Sequence, residues 1–169
     1  MSRPSIETYP SHFHTYIKLV DEDDIRTALK NQRPGAEQFL QSITEEQSFH
    51  KYAEGKWSIK EVLQHIIDAE RVFTYRAMAF ARRDQNVLPS FDENSYADHS
   101  HADDRSWSSL VEEFLALRKA TELLFNSFSE DDLNNSGNSN NRQVTVLALG
   151  YTTVGHTAHH INLIKERYL

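Results

Sequence analysis

Apolar residues recur at steps of three and four along most of this chain, the spacing of helices that bury one face. The pattern is clearest after Ser58, where Ile59, Val62, Ile66, Ala69, Phe73, Ala77 and Phe80 form one stripe. Ser58 and Glu61 have capping-box spacing, and Arg82–Arg83 suit the negative end of a helix dipole, which predicts a helix over about residues 58–83. A second stripe follows Ser106 (Trp107, Leu110, Phe114, Leu117, Thr121, Leu124, Phe128), and a third runs from about Val144 to Arg167 through Val146, Leu149, Thr153, His156, His160 and Leu163. An earlier stripe, Ile25, Leu29, Gln32, Ala36, Phe39 and Ile43, has Pro34–Gly35 in its middle. An interior proline costs about 3 kcal/mol, so a kink or two short helices are expected there.

Four amphipathic helices without a convincing strand predict an all-α chain, a four-helix bundle forming a single domain over residues 1–169. The connection 84–105 is 22 residues long, well above the usual helix–helix length. A crossover of that length can span the bundle, so that helices two and three run parallel, and Leu88, Phe91 and Tyr96 give it apolar anchors. Residues 134–141 (NNSGNSNN) are expected to form an exposed loop.

Composition narrows the chemistry. The 169 residues carry a formal charge of −7, against binding to a nucleic-acid backbone, which requires a basic face. The N-terminal sequence lacks the apolar core of a signal peptide and no apolar run is long enough to span a membrane, so a soluble, cytoplasmic protein with no membrane partner is expected. There is no cysteine, which removes disulfides, thiolate–metal sites and a cysteine nucleophile, but there are nine histidines.

Five of these, His12, His14, His50, His99 and His101, lie in terminal or loop segments among polar residues and are expected to be solvated. The other four are on the long helices. His65 interrupts the apolar stripe between Val62 and Ala69, and the last helix carries Gly155-His156-Thr157-Ala158-His159-His160. His156 and His160 are one turn apart, a spacing that lets two imidazoles grip one ion, while His159 is turned off the stripe. With His65 from a neighbouring helix they make a candidate metal site of three imidazoles, which buried separately would each need a hydrogen-bond partner. Asp68, one turn beyond His65, is either a carboxylate that supports the site or a solvated residue. Gly150 and Gly155 are expected to serve close helix packing.

The segments W-S-I-K-E-V-L-Q-H-I-I-D-A-E-R (57–71), F-A-R-R-D with L-P-S-F-D (80–92), and G-H-T-A-H-H with E-R-Y-L (155–169) resemble the DinB-like superfamily, and within it the YfiT-like branch of bacillithiol-type S-transferases and metal-dependent hydrolases. The resemblance extends from about Tyr9 to Leu169. It implies a bundle of up-down-down-up topology, a homodimer, and one divalent ion per chain, zinc or nickel, held by His65, His156 and His160. An uninterrupted first helix is expected of relatives, so Pro34–Gly35 is a departure.

Three protein ligands leave coordination positions open, as in catalytic rather than structural sites. Such an ion can support hydrolysis or the transfer of a low-molecular-weight thiol to an electrophile, and the resemblance favours the thiol. No glutamate stands beside the histidines, and Asp68, Asp92 and Glu93 are the candidate acid–base groups. A small-molecule substrate is implied by either reaction. A non-catalytic metal or ligand-binding module, and a structural protein with core histidines, are the alternatives.

Overall fold

Four side-chain caps set where the long helices begin: Asp24, Ser58, Ser106 and Thr145 each accept a hydrogen bond from the amide three residues on. The computed structural model describes residues 3–169. In chain order its helices are α1 (His14–Ile17), α2 (Ile25–Gln41), α3 (Glu45–Ser48), α4 (Ile59–Ala81), α5 (Glu93–His99), α6 (Trp107–Asn126), α7 (Glu130–Asn134) and α8 (Val146–Arg167). Between α7 and α8 lies an antiparallel hairpin of β1 (Ser136–Ser139) and β2 (Arg142–Thr145).

The bonds between α2, α4, α6 and α8 give their directions. Arg26 Nη2 donates to the Phe128 carbonyl (2.8 Å) and Trp107 Nε1 to the Leu40 carbonyl (2.9 Å), so α2 and α6 are antiparallel. Arg105 Nη1 reaches Gln64 Oε1 (2.9 Å) and Arg71 Nη2 reaches Glu113 (2.6 Å), so α4 and α6 run the same way. Tyr168 Oη donates to the Trp57 carbonyl (3.0 Å) at the opposite end of α8 from the β1 residue Gly137 packed on Phe80, so α4 and α8 are antiparallel. The chain between α4 and α6 must therefore travel the length of the bundle, and it is ordered on the way by α5 and by a bridge from Leu88 to the hairpin.

Apolar residues form two clusters, one around Ile25, Leu29, Phe80, Phe125 and Leu149, the other around Leu40, Leu63, Phe114 and Ile164. Between them in chain position on every long helix lies a buried polar layer. Arg118 (0% exposed) donates from Nη2 to Glu70 Oε2 (2.8 Å) and to Thr157 Oγ1 (2.9 Å), and from Nε to Glu70 Oε1 (3.0 Å). Its Nη1 donates to Gln32 Oε1, whose amide in turn donates to the Val154 carbonyl (2.7 Å). Thr121 Oγ1 completes the shell of Glu70 at 2.7 Å. One ion pair thus touches all four long helices.

Three expectations need correction. Pro34 lies inside a single continuous helix and does not divide it. Pro34, Gly35 and Lys30, whose carbonyl the proline leaves without its amide, are all exposed, so the break in the hydrogen-bond ladder falls on the solvent face of α2. Residues 134–141 are not a simple loop: Asn140 (φ 52°) and Asn141 (φ 60°) are both left-handed, the requirement of a two-residue type I′ turn, and they close the hairpin. In α6 the central stripe position belongs to Arg118, while Leu117 is only half-buried.

Candidate metal centre

α4 and α8 carry three imidazoles to one point. His65 Nε2 lies 3.0 Å from His156 Nε2, and His160 Nε2 lies 3.1 Å from the same atom. His156 is 4% exposed, His160 9%, and His65 is half-buried. His156 and His160 meet because one helical turn separates them; His65 meets them because α4 crosses α8 at this level. His159 is turned aside, its ring edge-on to Tyr16 at 5.4 Å.

Aromatic side chains fix the rings. Trp57 lies 5.0 Å from His65 between ring centroids, and Tyr16 and Phe73 meet His156 edge-on at 5.2 and 5.7 Å. Tyr16 comes this close because Gly155 presents no side chain to its backbone: an added Cβ would stand 2.1 Å from the Tyr16 carbonyl oxygen. The expected packing role of Gly155 therefore also places a wall of the site.

Burial holds all three histidines neutral. It pushes His65 down to about 4, and with the neighbouring imidazoles it pushes His160 to about 3 and His156 well below the usual value. Neutral imidazoles carry one N–H each, so His156 Nε2 can bond only one of the two nitrogens that face it. His160 Nδ1 is buried with no partner. Three lone pairs converging in this way are the donor set of a divalent ion, and the 3.0 and 3.1 Å separations from His156 Nε2 approach the value of about 3.3 Å between ligands at a tetrahedral zinc with 2.0–2.1 Å bonds, the three nitrogens all lying within 4.8 Å of one another. The residues present fit such an ion.

The histidines form one end of a cleft of about 470 Å³. Its walls include His12, Phe13 and Tyr16 from the N-terminal segment, Trp57 just before α4, Ala69, Phe73 and Arg76 along α4, Phe91, Glu93 and Asn94 from the crossover, and Ser139, Asn140 and Arg142 from the hairpin. Glu93 is the one carboxylate among the described residues lining it, and it is exposed at the rim.

The other candidate acids stand elsewhere. Asp68 accepts from Gln64 Nε2 (2.9 Å) and faces a separate depression with His99 and Arg105. Asp92 caps α5, accepting from the amides of Asn94 (3.0 Å) and Ser95 (3.1 Å). Of the five histidines expected to be solvated, all are exposed, but His12 also borders the cleft. Sequence reading missed the Glu70–Arg118 pair, Tyr16, Arg76 and the hairpin. Arg118 was detectable, since it falls one turn beyond Phe114 on the buried face.

Comparison with known proteins agrees with this architecture. A family model, the DinB superfamily, matches residues 28–164. Among solved structures, YfiT from Bacillus subtilis, described as a probable metal-dependent hydrolase with an unusual four-helix bundle topology, superposes with a TM-score of 0.70 at 15% identity, over 97% of this chain and 90% of that one. No curated protein matches the sequence.

Proposed function

This chain belongs to the DinB superfamily, and on that premise we propose that it is a divalent-metal-dependent enzyme acting on a small molecule in the cleft, by transfer of a low-molecular-weight thiol to an electrophile. The observation that carries the reading is the convergence of three neutral imidazole nitrogens at the end of an accessible cleft. His65, His156 and His160 would hold the ion, and imidazole ligands suit zinc and nickel among the divalent metals. A bound ion supplies Lewis acidity and lowers the pKa of a water or thiol that it binds.

The residues around the histidines favour a thiol over water. Among the described residues no carboxylate is hydrogen-bonded to the imidazoles, and the neighbouring walls are Trp57, Phe73 and Tyr16. A thiol of ordinary pKa about 8.5 needs far less help to ionise than water at about 15.7. With no cysteine in the chain, the sulfur comes with the substrates. Hydrolysis is the second reading, supported by Glu93, which borders the cleft and reaches His65 electrostatically, and by the description of YfiT as a probable metal-dependent hydrolase.

The test is metal content followed by turnover. Tag-free protein purified without chelators is expected to carry about one equivalent of divalent metal. Loaded protein with a small thiol and a haloaromatic electrophile is expected to consume both, and chelation to stop it. Ester cleavage without thiol would select the hydrolytic reading. Metal binding with no turnover on either panel would leave a binding module.

A further inference from the structure

Among the described residues two arginines are buried, and only one of them has a counter-charge. Arg118 is clasped by Glu70. Arg76 is 6% exposed, yet its one protein partner among the described residues is the Pro89 carbonyl, which accepts from Nη2 at 2.6 Å. A guanidinium has five N–H donors, and burying it without an anion is costly. Arg76 lines the same cleft as the histidines, on the wall that Ala69 and Phe73 continue towards His65.

Arg76 is not the only cation facing this cleft. Arg142, on the hairpin, also borders it, as does His12, whose protonation is disfavoured by burial and by the Arg142 charge. Glu93, on α5, is the one carboxylate among the described residues that lines the cleft. The crossover and hairpin hold the cationic end together: Leu88 N donates to the Asn138 carbonyl and Asn140 N to the Leu88 carbonyl, both at 2.9 Å, one residue from the Pro89 carbonyl that fixes Arg76.

We propose that Arg76, assisted by Arg142, is the anchor for a carboxylate or phosphate group of the substrate, at the end of the cleft away from the three histidines. This rests on the cleft being the substrate site proposed above. The bidentate fork of arginine matches either oxyanion. Eleven residues separate His65 from Arg76, about 16 Å along the helix at 1.5 Å per residue, and the side chain leans back towards the helix N-terminus. The substrate class is therefore an elongated organic anion whose charged group lies on the order of 15 Å from its reacting atom.

The experiment is calorimetric titration of metal-loaded and chelator-treated protein with inorganic phosphate and with succinate, with metal content measured in each sample. At least one of the two is expected to bind both forms, and the tighter identifies the headgroup. Arg76→Met is expected to weaken binding at least tenfold with metal content unchanged, and Arg76→Lys to restore it only in part. Arg142→Gln, at an exposed position that does not endanger folding, is expected to weaken it about threefold. Binding unchanged in Arg142→Gln and in every folded Arg76 variant, no binding of either anion, or binding that vanishes with the metal would overturn the proposal. Wild-type protein without metal would defeat the metalloenzyme reading, while titration of that same protein would still decide this one.

Discussion

Gly155 and Tyr16 meet backbone to backbone, with no room for a methyl group between α8 and the carbonyl of Tyr16. This contact brings the Tyr16 ring against His156. Gly155→Ala is expected to cost about 1–3 kcal/mol through overpacking and to displace Tyr16. Thermal unfolding reports the first effect. A fall in the metal affinity of the folded variant reports the second.

The layer at Glu70 predicts a sharper asymmetry. Removing one partner, as in Glu70→Ala, leaves Arg118 charged and fully buried and is expected to cost about 3–5 kcal/mol. Replacing both, as in Glu70→Leu with Arg118→Met, is expected to be milder than either single change. Urea unfolding of the three variants measures this directly.

His160→Ala is expected to lower divalent-metal affinity at least tenfold while helix content by circular dichroism stays near wild type. His99→Ala should do neither, because His99 is exposed and its Nδ1 bonds only the Ser95 carbonyl (2.7 Å) of its own turn. Equal metal content in both variants would remove His160 from the ligand set.

The metal-free protein is expected to lose stability in acid from these same rings. His65 and His160 titrate near 4 and 3 when folded and near 6.5 when unfolded, so between those values the unfolded chain binds more protons. The contribution is fully present above about pH 6.5 and disappears as pH falls towards 4. Melting temperature should therefore fall between pH 7 and pH 4.5, and His160→Leu should flatten the slope.

Pro34→Ala restores an amide where the Lys30 carbonyl now faces solvent, within a continuous helix. It is expected to stabilise the protein by about 1–3 kcal/mol with no effect on metal affinity, as read by urea unfolding.

The helical spacing of Ile59 to Phe80 and of Val146 to Arg167 was enough to place α4 and α8, and so to bring His65, His156 and His160 towards one another before any coordinates. What the spacing could not reveal depends on contacts between distant segments. The hairpin turns on two adjacent asparagines in left-handed backbone, and it is tied to Leu88, 52 residues before Asn140, by a hydrogen bond from the Asn140 amide. The burial of Arg118 depends on Glu70, 48 positions away. Pro34 reads as a breaker because sequence does not say that its face of α2 is the wet one.

The crossover between α4 and α6 also separates two kinds of constraint. Its segment, the hairpin and the N-terminal turns provide much of the cleft's wall, whereas all three imidazoles stand on long helices clamped by the Glu70–Arg118 pair. Insertions, deletions and exchanges in the crossover and the hairpin can remodel what enters the cleft without moving the histidines. A library varied at Ser90, Phe91, Asn140 and Arg142 would thus explore new substrates on an unchanged chassis.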